Sequence, residues 1–295
     1  MTTTTETEFA APVDDYVCPT SVAEAARLLA EVPGARPLAG GTDLMVQMRL
    51  GHRRVERVVD VTRIQQLLGI DHEDGSIGAG VRMRELLADP LVADRYTALV
   101  EAARLLGGRQ IQAMATLGGN LCNASPAAET ATPLLVHDTV AVIEGSQGQR
   151  EVAVDELWTG PGSTVLAPDE LLVRLRPGAV EGRSAYRRIE LRRSVDIAVV
   201  SAAARLHVVA GEVRVARVAI GAAAPTPRRV PDAEAALVGV GVHDLDPAIE
   251  RAAVLASAAA EPIDDTRAGA GYRRAMVATL AARALRGCLE GTAKG

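Results

Sequence analysis

Two glycine pairs carry most of the polar chemistry open to this chain: "LAGGTDL" at 38–44 and "LGGNLCNAS" at 117–125. Each sets Gly-Gly after an apolar stretch and follows it with small polar side chains. Glycine permits positive φ and lets backbone N–H groups come close to a ligand. Successive N–H groups in such a turn form a concave nest for an anion. At 40–45 the nest would open into a helix, whose N-terminus also favours negative charge. Thr42 is placed to cap that helix, with Asp43 in its first turn. A carboxylate there repels a phosphate unless it turns toward a ribose, toward N–H groups, or away. The second pair precedes Asn120 and Asn123, the only two asparagines of the chain. On pattern alone, both segments also fit plain loops whose glycines serve turns.

Much other chemistry is missing. The histidines at 52, 72, 137, 207 and 243 are isolated, with no H-E-x-x-H and no metal-ligand spacing. Lys294 is the sole lysine, so a Walker A loop is excluded. "GPGSTV" at 160–165 is not a nucleophile elbow. "GAGVRM" (78–83) and "GVGVHD" (239–244) lack the third glycine of a dinucleotide fingerprint. Cys18, Cys122 and Cys288 are scattered, which suits a reducing compartment. No C-x-x-C occurs, so the chain cannot by itself ligate an iron–sulfur cluster. Cys122, between the asparagines, reads as a small buried thiol.

The chain of 295 residues has room for two domains or one large one. Apolar residues make up 48% and aromatics only 2%, so its core must be aliphatic. A net charge of −5 with no basic run lacks the footprint of a nucleic-acid binder. The polar, acidic start has no apolar h-region and no long apolar run follows. The expectation is a cytoplasmic protein without a membrane span.

The elements that must position the glycine pairs can be read from periodicity. "TSVAEAARLLAEV" (20–32) predicts a helix capped by Thr20 or Ser21, with Glu24 at the capping-box offset. Val22, Ala25, Ala26 and Leu29 line its apolar face. Then come a short extended piece, the first Gly-Gly turn and a short helix with Leu44, Met45 and Met48 on one side. "RVVDV" and "SIGAG" predict strands. "RMRELLADP" and "YTALVEAARLLGG" predict helices stopped at Pro90 and Gly107. "TVAVIEG" and "QREVAVDEL" form a hairpin around "SQG", and "DELLVRLRP" is a further strand. A composition shift at 177–183 marks a domain boundary. Beyond it, two long strands meet at Ala210–Glu212, and helices follow at about 231–239, 246–260 and 270–287. That pattern is α+β.

"PLAGGTDLMVQMRLG" together with "ATLGGNLCNASPAAETATPLLVHDTVAVI" resembles the flavin-binding medium subunit of molybdenum hydroxylases. This is the family of xanthine dehydrogenase and carbon monoxide dehydrogenase. "SVAEAARLL", "IGAGVRMREL", "GPGSTVLAPDELL", "RRSVDIAVVSAAARL", "VAIGAAAPTPRR" and "DDTRAGAGYRR" fall in the family's order, so the similarity spans nearly the whole chain. The resemblance implies a PCMH-type FAD domain at 1–178, of the type shared with vanillyl-alcohol oxidase. Its two α+β subdomains would cover about 1–60 and 61–178. A C-terminal α+β domain of the carbon monoxide dehydrogenase flavoprotein type would fill 179–295.

The resemblance also implies site residues. Ala39, Gly40, Gly41, Thr42 and Asp43, running into Leu44, would wrap the FAD pyrophosphate with backbone N–H groups. Thr116, Leu117, Gly118, Gly119 and Asn120 would do the same from the other side, with Asn120 adding a side-chain donor. Ser125 would bond near the phosphates or ribityl chain. Glu129 stands where the family often has Asp, near the ribose or adenine. Leu172 would meet the ring system through its backbone. Arg188 would reach the flavin's pyrimidine edge, or else form a surface salt bridge. No catalytic acid or base and no metal ligand is expected here. A large partner subunit would hold the molybdenum cofactor and a small one two 2Fe-2S clusters, in a dimer of heterotrimers. FAD on this chain would collect electrons from the clusters and pass them to an external acceptor. Two other readings stay open: a free-standing flavin oxidase of the vanillyl-alcohol class, and a non-catalytic nucleotide-binding protein.

Overall fold

The computed structural model of the chain describes residues 15–178, 181–192 and 195–290. It opens with a small parallel sheet. Strand β1 (Tyr16–Val17), helix α1 (Val22–Glu31), strand β2 (Arg36–Leu38), helix α2 (Leu44–Arg49) and strand β3 (Val58–Asp60) follow in order, with β3 central. Helix α1 starts as its sequence dictates. Ser21 Oγ accepts from Glu24 N at 3.2 Å, and the Glu24 carboxylate accepts from Thr20 N at 2.9 Å. Its apolar stripe of Val22, Ala25, Ala26 and Leu29 is buried, in part against Val59 and Ile64.

The second layer is an antiparallel sheet with a helical cover. Strand β4 (Ile77–Gly78) leads into α3 (Met83–Ala88), α4 (Pro90–Arg95), α5 (Thr97–Leu105), α6 (Arg109–Gln112), α7 (Leu117–Cys122) and α8 (Ala131–Val136). Strands β5 (Val140–Gly145), β6 (Gly148–Ala153), β7 (Trp158–Gly160), β8 (Ser163–Thr164) and β9 (Leu171–Arg176) complete it, in the order β4-β9-β5-β6 with β7-β8 a separate ribbon. The hairpin at "SQG" is present, pairing Gly145 with Gly148. Pro90 ends one helix as expected and also begins the next, at the first helical position where its missing N–H costs nothing. Asp89 caps that helix through Leu91 N and Val92 N.

The third layer comprises β10 (Arg183–Ile189), β11 (Val200–Val209), β12 (Glu212–Gly221), β13 (Arg228–Arg229), α9 (Pro231–Ala235), α10 (Leu245–Ala258) and α11 (Ala270–Gly287). The four strands form one antiparallel sheet. On β11, Ala203 faces the second-layer core beside Tyr186, while Ala202, Ala204 and Leu206 face α10 and α11. A strand buried on both faces needs small apolar side chains, and this explains why an alanine-rich chain with few aromatics can close its core. The expected face of Val277, Leu280, Ala284 and Cys288 is buried.

One acidic residue ties the layers together. Asp138, just after α8, pairs with Arg205 at 2.9 Å, Arg217 at 2.9 Å and Arg229 at 2.7 Å, one from each of β11, β12 and β13.

Candidate functional site

The two glycine segments face each other across one cleft of about 540 Å³. Ala39, Gly40, Gly41, Thr42, Asp43, Leu44, Thr116, Gly118, Gly119, Asn120 and Leu172 all line it. A second cleft of about 870 Å³ shares Ala39, Gly40, Val61, Gly80 and Thr116 with the first.

The glycines bring the segments together by what they lack. A Cβ on Gly40 would overlap the Met114 carbonyl, and one on Gly118 would stand 2.6 Å from Ala79 Cβ. Gly41 sits at φ +67°, a conformation that side chains resist. The first segment thus turns as the sequence predicts.

Its backbone donors are the site's main resource. Among the described residues, the N–H groups of Gly40, Gly41, Thr42, Asp43 and Leu44 donate to no protein acceptor. Five successive free donors beside a cavity have the donor arrangement of an anion nest. Two details depart from expectation. The helix begins at Leu44 with Asp43 at its N-cap, and no side chain caps it, so Thr42 is not the cap and Asp43 is not inside the first turn. The Asp43 carboxylate accepts from Gln47 Nε2 one turn on. That contact turns its charge along the helix.

The second segment differs from its sequence reading. It is not a loop but the short helix α7, capped by Thr116 Oγ1, which accepts from Gly119 N at 3.0 Å. Its N–H groups are already taken. Leu117 N donates to Val81 O at 2.9 Å, Gly118 N to Ala79 O at 2.7 Å and Asn120 N to Thr116 O at 3.0 Å. The expected backbone grip from 116–120 therefore has no free donors at 117–120, and Thr116 N alone of the five donates to no protein acceptor among the described residues. What this side offers is the Asn120 amide and the bare surface of Gly119. Asn120 Oδ1 accepts from Thr130 Oγ1 at 2.6 Å and Thr130 N at 3.3 Å, which leaves Nδ2 as its free donor. Trp158 Nε1 holds the helix from below through Leu121 O at 2.9 Å.

Four expected residues do not line this cleft. Leu117 is fully buried in the core. Ser125 Oγ accepts from Ala127 N at 3.2 Å in the turn after α7. Glu129 and Arg188 pair with each other at 2.9 Å, and Arg188 also binds Glu190. The Arg188 side chain is only 3% exposed, so the salt-bridge alternative is met, but buried rather than at the surface. One guanidinium serves two carboxylates there. Burial is the largest influence on Glu129 and pushes its carboxyl up to about 7, against the pull of Arg188. The Arg188 Nε atom is buried without a partner.

Sequence reasoning missed part of the wall. Gly162, Ser163, Thr164, Leu166, Ala167 and Pro168 close one side, and Arg36, Gln47 and Arg53 stand at another. The first group lies in "GPGSTVLAP", whose clustered glycine, serine and proline signal a loop but not a wall. Cys122, expected to be buried, is accessible at the cleft wall. Surrounding protein still crowds its thiol and pushes it up to about 12, so it stays protonated and is a poor nucleophile.

Comparison with known proteins gives a consistent picture. Residues 7–176 match the FAD binding domain in molybdopterin dehydrogenase, and 184–288 match the CO dehydrogenase flavoprotein C-terminal domain. The chain is 38% identical over 221 residues to a putative xanthine dehydrogenase FAD-binding subunit of Escherichia coli K12, covering 72% of this chain and 75% of that one. It is 32% identical over 280 residues to the carbon monoxide dehydrogenase medium chain of Hydrogenophaga pseudoflava, covering 93% and 96%. A solved carbon monoxide dehydrogenase from that organism superposes with a TM-score of 0.89 at 32% identity, over 94% of this chain and 98% of that one. Quinoline 2-oxidoreductase from Pseudomonas putida 86 superposes at 0.88 with 27% identity, over 95% and 98%.

Proposed function

We infer the role of the cleft from one premise: the chain belongs to the FAD-binding medium-subunit family of the molybdenum hydroxylases. The free donors of Gly40–Leu44 are the observation that carries the reading. A dinucleotide's diphosphate is the anion that fits five adjacent N–H groups next to a cleft of this size. Opposite them, Asn120 Nδ2 supplies a side-chain donor, Gly119 lets the ligand approach, and Leu172 offers backbone at the start of β9. Glu129, Arg188 and Ser125 do not line this cleft.

When bound, FAD supplies the exchange between single-electron carriers and a two-electron acceptor. The chain's own residues bind it, hold it extended between the first two layers and set the charge around it. Electrons would come from 2Fe-2S clusters on a small partner subunit, fed by a molybdenum cofactor on a large one. The assembly we favour is a dimer of such heterotrimers. Relatives are named for xanthine, carbon monoxide and quinoline, and the substrate pocket belongs to the large subunit in this reading. No helix among the described residues is long and apolar enough to cross a membrane.

Purification from the native host tests the proposal. The expected result is one FAD per chain, with two co-purifying subunits that carry molybdenum and iron. A chain that takes up no FAD, or that holds FAD and oxidises a substrate with no partner, would contradict it.

A further inference from the structure

The nest supplies only partial positive charge, while a diphosphate brings about two full negative ones. Four charged residues line the smaller cleft: Arg36, Asp43, Arg53 and Glu170. Glu170 is committed to Arg150 through both carboxylate oxygens, each at 2.7 Å. Asp43 is committed to Gln47 Nε2. Arg36 is exposed, so water screens it.

Arg53 is different. Its Nε donates to Gln47 Oε1 at 2.9 Å, and His52 N and Arg53 N donate to Gln47 O at 2.9 and 3.3 Å. The carboxylate of Asp43 demands an N–H donor, so the Gln47 amide can point only one way, with its oxygen toward Arg53. That relay fixes the guanidinium at one edge. Its two Nη groups donate to no protein acceptor among the described residues, and the residue is half-buried at the cleft wall. A planar fork held this way matches phosphate oxygens better than a free lysine would.

We propose that Arg53 is the counter-charge for the dinucleotide's diphosphate, aimed by the Asp43–Gln47 relay. The same relay removes the difficulty of a carboxylate beside an anion nest, because Asp43 is used to orient a cation. Gln47 is then a positioning residue. This inference rests on the FAD reading of the cleft.

Titration of the apoprotein with FAD, ADP and riboflavin tests it. Wild type should bind FAD and ADP, with affinity falling as salt rises. Arg53→Gln should weaken FAD and ADP roughly tenfold or more, as loss of charge-assisted hydrogen bonds does. It should also flatten the salt dependence and leave riboflavin binding unchanged. Arg53→Lys should recover part of the loss, and Gln47→Leu should show a smaller loss of the same kind. Unfolding would abolish riboflavin binding too, so the two effects separate. FAD affinity within twofold of wild type in Arg53→Gln, with the same salt slope, would overturn the role of Arg53 and leave the FAD site standing. Wild type that binds neither FAD nor ADP would overturn the FAD reading itself.

Discussion

Gly40 packs so closely on Met114 that a Cβ at position 40 would overlap the Met114 carbonyl oxygen. This contact holds the first glycine segment against the backbone just before the second. It also makes Gly40 a residue of backbone clearance, while Gly41 beside it is one of backbone conformation.

Gly40→Ala should therefore force the segments apart. Backbone shifts of this kind cost about 1–3 kcal/mol in stability. FAD retention should fall with it, read as flavin-to-protein ratio after gel filtration. A variant with normal flavin content and normal melting temperature would show that the contact is not needed.

Gly119→Val tests the opposite wall. Gly119 is exposed to the cleft, and an added Cβ meets only Thr116 Oγ1 at 2.8 Å. The fold should survive, with a stability change of about 1 kcal/mol. The branched side chain would fill ligand space, so FAD binding should be lost. Normal flavin content would refute a ligand at this surface.

Much of the architecture was legible in the sequence because its signals were local. The Ser21 cap with Glu24 reaching back to Thr20 N, the "SQG" hairpin and the Val277–Cys288 stripe all form much as read. Helix α7 was not legible, because Gly-Gly disfavours a helix by about 1 kcal/mol per glycine. The Thr116 cap and the Trp158 contact, 37 residues away in sequence, override that preference. Helix α8 was hidden by Pro133, which sits in its first turn where no N–H is needed. Strand β10 was masked by its arginines, of which Arg187 pairs with Glu101 and Arg188 with Glu129 and Glu190, partners that the fold supplies or that lie just past the strand. The site followed the same rule. Glycine spacing located the cleft, but only the hydrogen-bond pattern shows that 40–44 has free donors and 117–120 does not.

The Glu129 carboxyl gives a pH signature. Its folded value, about 7, lies above the ordinary range near 4.5. Protonation therefore favours the fold. That contribution is complete below about pH 4.5 and is lost as pH rises toward and through 7, by up to ~1.4 kcal/mol per pH unit. Glu129→Gln should flatten this slope in denaturant titrations of the apoprotein between pH 5 and 8. An unchanged slope would mean that Glu129 stays ionised beside Arg188 throughout.

Asp138 should matter to stability without touching the flavin. It answers three arginines, of which Arg205 is almost fully buried. Removing one partner of a buried pair costs about 3–5 kcal/mol, and the partial exposure of Asp138 lowers that to roughly 2 kcal/mol. Asp138→Ala should lower the melting temperature and keep FAD affinity within a few-fold. Equal stability would show that water replaces the carboxylate at no cost.

Hydrogen exchange with and without FAD tests the central claim most directly. In the apoprotein the amides of 40–44 should exchange fast, since they lack acceptors, while those of 117–120 should already be protected. FAD should slow exchange at 40–44 strongly and change 117–120 little. Protection that appears at 117–120 and leaves 40–44 exchanging freely would contradict the account.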